Sequence, residues 1–511
     1  MRNWESWLLL ADLMAFLALS IRQVRGRPWM RHAPAVVGVA LVMAAMQWLT
    51  EGPRWQTLPA YLLTVIFLLA SLLQRVAPAG GPLGRKRPHR AAAATAIALG
   101  AFGLAIAAAL PVMVPVFRFA HPSGPFAIGT LTHHWVDAAR AEAFGADPGE
   151  RRELMVQVWY PARADPSSRR AAYMANADTV TAAFARVQDQ PAFLFGHIKY
   201  VTTHALASVA AAAGQARYPV LLFLEGASGF RQMNTFQVEH LVSHGYIVVA
   251  IDQPGAAAAV VFPDGRQAVS LTVPQFLSMV GPSYLPVGTS STRTGVLLPN
   301  GSTLPDNSII PYLAQDVSFT LERLAALNLA DPNGILTGKL DLQRVGVFGI
   351  SLGGIVVGEA CRRDSRLKAC LVMDAAMSTD VVRAGLRQPS MWITQDADGM
   401  RLERQRAGGW PEAQIEAHQT SMRSVYEGLS GAGYFVRVPG MFHSNFTDIA
   451  SWTPLVPLWG LAGPIDPRRA HDIVNAYSPA FFERHLQGRP ALLLDGPATQ
   501  YPEVMFDSRR P

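Results

Sequence analysis

The chain has 511 residues, half of them hydrophobic and only 16% charged, with a formal net charge of +7 at pH 7. This length exceeds one simple domain, and the composition is apolar for a protein lying wholly in water. The basic excess sits at the front: the first 120 residues hold 12 Lys and Arg against 3 acids, and the remainder carries slightly more acids than bases. The charge therefore reflects topology, and a basic face for nucleic acid is excluded.

Four long apolar runs open the chain: Ser6–Ile21, Pro34–Thr50, Thr57–Leu73 and Ala91–Phe117. Each is long enough, or nearly so, to cross a hydrocarbon core of ~30 Å as a helix. Four in succession, separated by short loops, predict an all-α transmembrane bundle over 1–120. The first run is the weakest, because Asp12 inside it costs about 3 kcal/mol at mid-membrane unless it meets a partner. Arg22, Arg25 and Arg27 follow that run directly and argue against a signal-peptide cleavage site. The loops predict the orientation. Arg22–Ala33 holds four arginines and no acid, and Gln74–Arg90 holds Arg75, Arg85, Lys86, Arg87 and Arg90 and no acid. In the middle loop Glu51 offsets Arg54. Basic loops stay in the cytoplasm, so loops one and three are expected inside and both chain ends outside. The expected location is a bacterial-type inner membrane, crossed several times, with the domain after Phe117 facing the periplasm or exterior.

A second domain is expected over 121–511, after the short linker His121–Pro125. Phe126–Thr132 and Glu153–Tyr160 read as strands, the second with period-two alternation. Ala171–Val187 and Val201–Ala213 read as helical. The rhythm then becomes strand, helix, strand through Tyr218–Leu224, Met233–His244 and Tyr246–Asp252. Near-continuous apolar strands alternating with amphipathic helices predict a mostly parallel sheet covered on both faces. Gln253–Ser308, rich in Pro, Gly, Ser and Thr, interrupts the pattern and reads as a lid-like insertion above the carboxyl ends of the strands. After it come a helix over Ile310–Leu327, a helix ending near Arg363, strands at Lys368–Asp374, Ser390–Gln395 and Tyr434–Val438, a helical stretch Pro411–Leu429, and a closing helix Pro479–Leu486.

The chemistry centres on Val345-Gly346-Val347-Phe348-Gly349-Ile350-Ser351-Leu352-Gly353-Gly354. A strand-type run drives into G-x-S-x-G and a helix follows, which is the form of a nucleophile elbow. A serine hydroxyl needs to be held clear of its surroundings and to have a base beside it. On such a fold the chain order is Ser, then acid, then His. His418 and His485 fall in helical patterns and read as solvated, and His471 reads as a cap or surface residue. His443 directly follows a strand and the turn Pro439–Phe442, which makes it the expected base. The acid is open between Asp374, at the end of the strand after the elbow helix, and Asp396 or Asp398, at the end of the next. The expected oxyanion donors are the backbone N–H groups of Leu352, just after the nucleophile, and Ala227, in the small-residue loop Gly226–Gly229. Glu225 at the mouth of that loop has two readings, a hydrogen bond within the loop or a place in the pocket wall. Cys361 and Cys370 are the two cysteines of the chain, and either pair or stay as buried thiols. No metal-binding, Walker or zinc-protease motif occurs, so neither metal nor cofactor is expected.

Four stretches are similar to a known family: Phe223–Arg231 with His244–Asp252, then Gly349–Gly354, Leu371–Ala375, and Phe442–Asp448. On these the region Phe126–Leu486 resembles the platelet-activating factor acetylhydrolases of the plasma and intracellular type II branch, within the α/β-hydrolases, and their bacterial relatives. The resemblance implies an α/β-hydrolase fold, Asp374 as the acid, no metal, and cleavage of short or oxidised sn-2 acyl esters of phospholipids at a lipid surface. Members of that family usually carry His where this chain has Glu225. The expected function is a membrane-anchored serine carboxylic ester hydrolase using Ser351, His443 and Asp374. The alternatives are a general lipase or esterase, a polyester hydrolase or a thioesterase on the same triad, or a non-enzymatic membrane sensor or assembly protein with a passive outer domain.

Overall fold

The computed structural model describes residues 1–25, 33–76, 90–145, 147, 149–165, 167–272, 275, 309–408 and 410–510. Most of loops one and three of the front region therefore lies outside the described residues, as does most of the expected lid. The chain divides into two compact units: Met1–Phe117 with two short later pieces, and the rest.

The first unit is built from helices α1 (Asn3–Arg25), α2 (Ala33–Glu51), α3 (Leu58–Val76) and α4 (Arg90–Met113). All four contain a stretch long and apolar enough to cross a membrane, ending with Ala91–Met113. Leu8, Ala15, Val37, Leu63, Phe67 and Ala107 meet in one internal core. Leu49, Leu62, Leu73, Leu99 and Phe102 stay exposed on the outside. Asp12, the residue that weakened the first run, has its partner: the Thr64 hydroxyl donates to it at 2.7 Å. Glu5 accepts from Arg54 Nε at 2.7 Å and Nη2 at 2.8 Å, so these two buried charges are matched across the bundle.

The second unit is α/β. Its front half carries β1 (Ala127–Ala141), β2 (Arg151–Ala162), β3 (Arg170–Ala172), α5 (Ala177–Val187), β4 (Thr202–Ala207), β5 (Tyr218–Leu224), α6 (Thr235–Ser243) and β6 (Ile247–Asp252). Then come the small strands β7 (Ala259–Val261) and β8 (Gln267–Val269) and helix α7 (Ile309–Leu329). The back half carries β9 (Leu340–Ile350), α8 (Leu352–Arg363), β10 (Leu367–Met373), α9 (Thr379–Ala384), β11 (Ser390–Thr394), α10 (Ala397–Ala407), α11 (Glu412–Glu427), β12 (Gly433–Arg437), α12 (Pro467–Gln487) and β13 (Met505–Arg509).

Eleven of the described strands form one sheet in the order β13-β12-β11-β10-β9-β5-β6-β2-β1-β4-β3. The stretch from β6 to β12 is parallel throughout, and β2 and β13 flank it antiparallel. Successive strand residues point to opposite faces. Val220, Leu222 and Leu224 accordingly enter the core that contains α7 and α8, whereas Leu221 and Phe223 enter the core under α6 and α12. With apolar residues needed on both faces, β5 reads as an unbroken apolar run.

Four expectations change. Val201–Ala213 does not form a helix: Thr202–Ala207 is strand β4, paired with β1 and β3, and the β-branched pair Thr202-Thr203 suits a strand. The helical stretch read from Ala171 starts only at Ala177, because Arg170–Ala172 pairs as β3. The closing helix begins at Pro467 rather than Pro479. Asp466 caps it by accepting from the N–H groups of Arg468 and Arg469 at 2.9 and 3.1 Å, and proline is favoured at the first helical position. Strand β13 follows that helix and ends the sheet beside β12. The insertion is also partly regular: β7 and β8 form a hairpin, whose Val260 and Phe262 pack with Met155 and Ala257. Cys361 on α8 and Cys370 on β10 are disulfide-bonded.

Candidate active site

Ser351 sits between β9 and α8 with φ 55° and ψ −124°. A positive φ is strained for a residue with a side chain, and the surrounding backbone holds it there. The Ser351 N–H donates to Met373 O at 3.0 Å, and the Ile355 N–H donates to Ser351 O at 3.1 Å. Glycines permit the tight passage. A Cβ on Gly353 would lie 2.2 Å from Leu224 O and 2.5 Å from Glu225 O, and one on Gly349 would lie 2.7 Å from Gly353 C. The elbow is thereby pressed against the end of β5.

That same strand end leads into the expected oxyanion loop. A Cβ on Gly226 would lie 3.2 Å from Ser351 Cβ and 3.8 Å from its Oγ, so the loop borders the serine directly. Gly229 N–H closes a turn onto Gly226 O at 2.9 Å, and Ser228, at φ 55°, donates to Ala256 O at 2.6 Å. Ala227 at the tip is exposed, whereas Leu352 is buried at the start of α8. Leu352 is the first residue of its helix, where an N–H has no acceptor within the helix.

Glu225 is buried, and its carboxylate accepts the Gln253 N–H at 3.1 Å. The bond therefore ties the ends of β5 and β6 together rather than staying within the loop. Burial, with the Asp252 carboxylate close by, pushes Glu225 well above the usual carboxylate range.

Asp374 directly follows β10, one residue beyond Met373, which holds the Ser351 N–H. It too has positive φ, at 42°, and is fully buried. His443 Nδ1 lies 2.6 Å from Asp374 Oδ2. The carboxylate also accepts from Thr394 Oγ1 at 2.8 Å, Gln395 N at 3.2 Å and Gln395 Nε2 at 3.1 Å. Burial alone would raise its pKa, but the hydrogen bond and charge of His443, helped by Thr394, hold it down to about 2. The His443 ring is shifted the other way. Burial opposes its positive form, yet Asp374 and then Glu403 outweigh that and raise its pKa.

The other two aspartates are engaged elsewhere. Asp396 caps α10, accepting the Gly399 N–H at 2.7 Å, and Asp398 pairs with Arg401 at 2.8 Å on the surface. Of the expected residues, His443 and Asp374 are joined directly and Ser351 lies at the neighbouring strand end. Among the described residues the Ser351 hydroxyl makes no hydrogen bond to His443.

Three other histidines differ from their sequence reading. His418 is not solvated: it is fully buried on α11 beside Trp410, whose ring in turn meets His443 edge-on at 6.0 Å. His471 stacks on Phe236 with centroids 3.7 Å apart and bonds Thr447 O at 3.0 Å. His485 bonds the Tyr434 hydroxyl at 3.0 Å.

A pocket of ≈ 100 Å³ opens beside His443, lined by Gln395, Met400, Glu403, Arg404, Gly408, Trp410 and His443. Ser351 does not border it. Glu403 and Gln395 were not singled out in the sequence, and no motif marks them. The helix that carries Glu403, α10, is polar and was not anticipated.

Residues 327–490 match the family model described as platelet-activating factor acetylhydrolase, isoform II. Over 278 residues the chain is 25% identical to the platelet-activating factor acetylhydrolase of Cavia porcellus, covering 53% of this chain and 58% of that protein. It is 23% identical over 307 residues to a probable 1-alkyl-2-acetylglycerophosphocholine esterase of Arthroderma benhamiae, covering 56% and 66%. The chain thus spans less than two thirds of the length of these two relatives. Among solved structures, a ferulic acid esterase from Streptomyces cinnamoneus superposes with a TM-score of 0.56 at 27% identity, over 77% of this chain and 99% of that one. The second unit is therefore α/β-hydrolase-like, with an esterase as its structural neighbour, and its second half is similar to the platelet-activating factor acetylhydrolases, as the sequence resemblance implied.

Proposed function

We propose that the chain is a membrane-anchored serine ester hydrolase whose active centre is Ser351, His443 and Asp374. The observation that carries this reading is the 2.6 Å bond from His443 Nδ1 to the buried Asp374, on the strand end next to the Ser351 elbow. With Nδ1 engaged, Nε2 is the nitrogen available to Ser351. It takes the hydroxyl proton as Oγ attacks the ester carbonyl carbon. The N–H groups of Ala227 and Leu352 then receive the oxyanion, with the α8 N-terminus adding its favourable field. The protonated His443 returns its proton to the leaving alcohol, giving an acyl-serine. Water, deprotonated by His443 in turn, releases the acid and restores the serine.

The substrate class proposed is a short or oxidised acyl ester of a phospholipid. The acetylhydrolase relatives support it, as do four apolar helices whose outward side chains lipid would cover. The similarity to a ferulic acid esterase favours a second reading on the same residues, a general carboxylic esterase. An acyl-length series on p-nitrophenyl esters and on phospholipid vesicles separates the two. For the centre itself, Ser351→Ala in the full detergent-solubilised chain should lower kcat for p-nitrophenyl acetate on the order of 10⁶-fold, to the residual rate that binding and the oxyanion donors supply. Near-normal turnover would overturn the reading.

The proposed location is the outer side of a membrane. The arginine-rich loops support it, and the disulfide between Cys361 and Cys370 supports it independently, since such bonds persist in oxidising compartments.

A further inference from the structure

His443 has two carboxylates around it. Asp374 holds the ring, and Glu403, from α10, accepts the His443 backbone N–H through Oε2 at 3.2 Å. The same Oε2 accepts from Gln395 Nε2 at 3.0 Å, and that amide nitrogen also donates to Asp374 Oδ2 at 3.1 Å. Asp374, Gln395, Glu403 and His443 thus form a closed ring of contacts drawn from the ends of β10 and β11, the turn after β12 and one helix. Two carboxylates so near each other repel, and two features offset the repulsion. Gln395 places donor hydrogens between them, and His443 becomes positive when it takes a proton.

Thr394 and the Gln395 N–H already secure Asp374, so geometry alone does not require a second acid. The Gln395 amide and the His443 N–H would be satisfied equally by a neutral oxygen. A carboxylate adds negative charge next to a ring that must become an imidazolium each time it accepts the Ser351 proton. Fixed charge aimed at charge that develops during reaction lowers the barrier without later reorganisation.

We infer that Glu403 is a second carboxylate of the base, a positioning residue that holds the turn at His443 and whose charge supports the positive form of its ring. This rests on the reading of His443 as general base given above. The groups facing Glu403 are His443 and Asp374 from other elements and Arg404 beside it in the pocket wall, with the buried His418 ring close to the pair from α11. Charge from Glu403 is among the causes that raise the pKa of His443, after Asp374, and burial raises that of Glu403 itself.

The test compares Glu403→Gln, Glu403→Asp and wild type as full chains in detergent. Histidine ring resonances are followed by NMR against pH in isotope-labelled protein, with His443 assigned from the signal lost in His443→Gln. In Glu403→Gln the His443 ring is expected to titrate lower by roughly one pH unit, and kcat for p-nitrophenyl acetate to fall about tenfold with KM little changed. Glu403→Asp, which keeps the charge, should recover most of both. A wild-type titration point in Glu403→Gln overturns the inference, as does a wild-type kcat. The titration needs no turnover. If the wild-type chain hydrolyses no ester, the proposed function fails, and the titration still decides the role of Glu403.

Discussion

Ser351 and Asp374 are both non-glycine residues at positive φ, and each directly follows a parallel strand of the same sheet. Such positions persist only where neighbours over-determine them, and here the backbone bonds to Met373 O and from Ile355 do so on the serine side. The serine was legible because its constraint is local, in the glycines two residues either side. Its acid was not. Periodicity leaves Asp374, Asp396 and Asp398 equivalent, and only the geometry shows one bonded to His443 and the others to a helix cap and a surface arginine. This gives a sharp expectation: Asp374→Asn should lower kcat by roughly 10⁴-fold, as when an orienting carboxylate is lost, whereas Asp396→Asn and Asp398→Asn should change it little. Steady-state kinetics on a soluble ester check this, and a severe Asp396→Asn would reverse the assignment. The pH dependence follows from the same pair. A base raised above about 6.5 retains its proton to higher pH, so the neutral His443 needed for attack appears later on the alkaline side. The acid limb of kcat/KM should therefore lie above the usual imidazole value and move down in Asp374→Asn. For stability the sign is that of a depressed carboxylate. The stabilisation from Asp374 is present above its unfolded value near 3.9 and is lost as pH falls toward about 2.

At the scale of elements, the elbow helix α8 is locked against β5 by the absence of two side chains. A methyl on Gly353 would meet backbone oxygens of Leu224 and Glu225, which cannot rotate away as a flexible side chain could. Gly353→Ala should therefore cost about 1–3 kcal/mol through forced backbone shifts and lower activity more than Gly496→Ala, whose position is open and needs no positive φ. Chemical denaturation of both variants checks it, and equal midpoints would show that the elbow can relax. Buried strands with residues for two cores were read well, because β5, β6 and β9 can be nothing else. Short and polar elements were read poorly. Strand β4 depends on pairing with β1 and β3, strand β13 on β12, and α10 on a cap from Asp396. None of these has a long apolar pattern of its own.

For the molecule as a whole, the two units obey different rules. In the first, the buried acids Asp12 and Glu5 each meet a partner, Thr64 and Arg54. In the second, a sheet with apolar residues on both faces places the ends of β9, β10 and β11 side by side. The proposed topology is tested with reporter fusions in a bacterial host. A periplasm-dependent reporter joined after Phe117 should be active, and one joined within Gln74–Arg90 silent, with the reverse pattern sinking the orientation. The chain by itself determined the apolar helices, the parallel α/β alternation, and Ser351 and His443 as candidates, because charge, hydropathy and G-x-S-x-G spacing are properties of neighbouring residues. The tertiary structure shows His443 bonded to Asp374, the aspartate the resemblance implied, and it alone decided that Glu403 and Gln395 join them and that Cys361 meets Cys370. Those contacts link strand ends and helices that share no local pattern, and depend on the register in which distant segments come together.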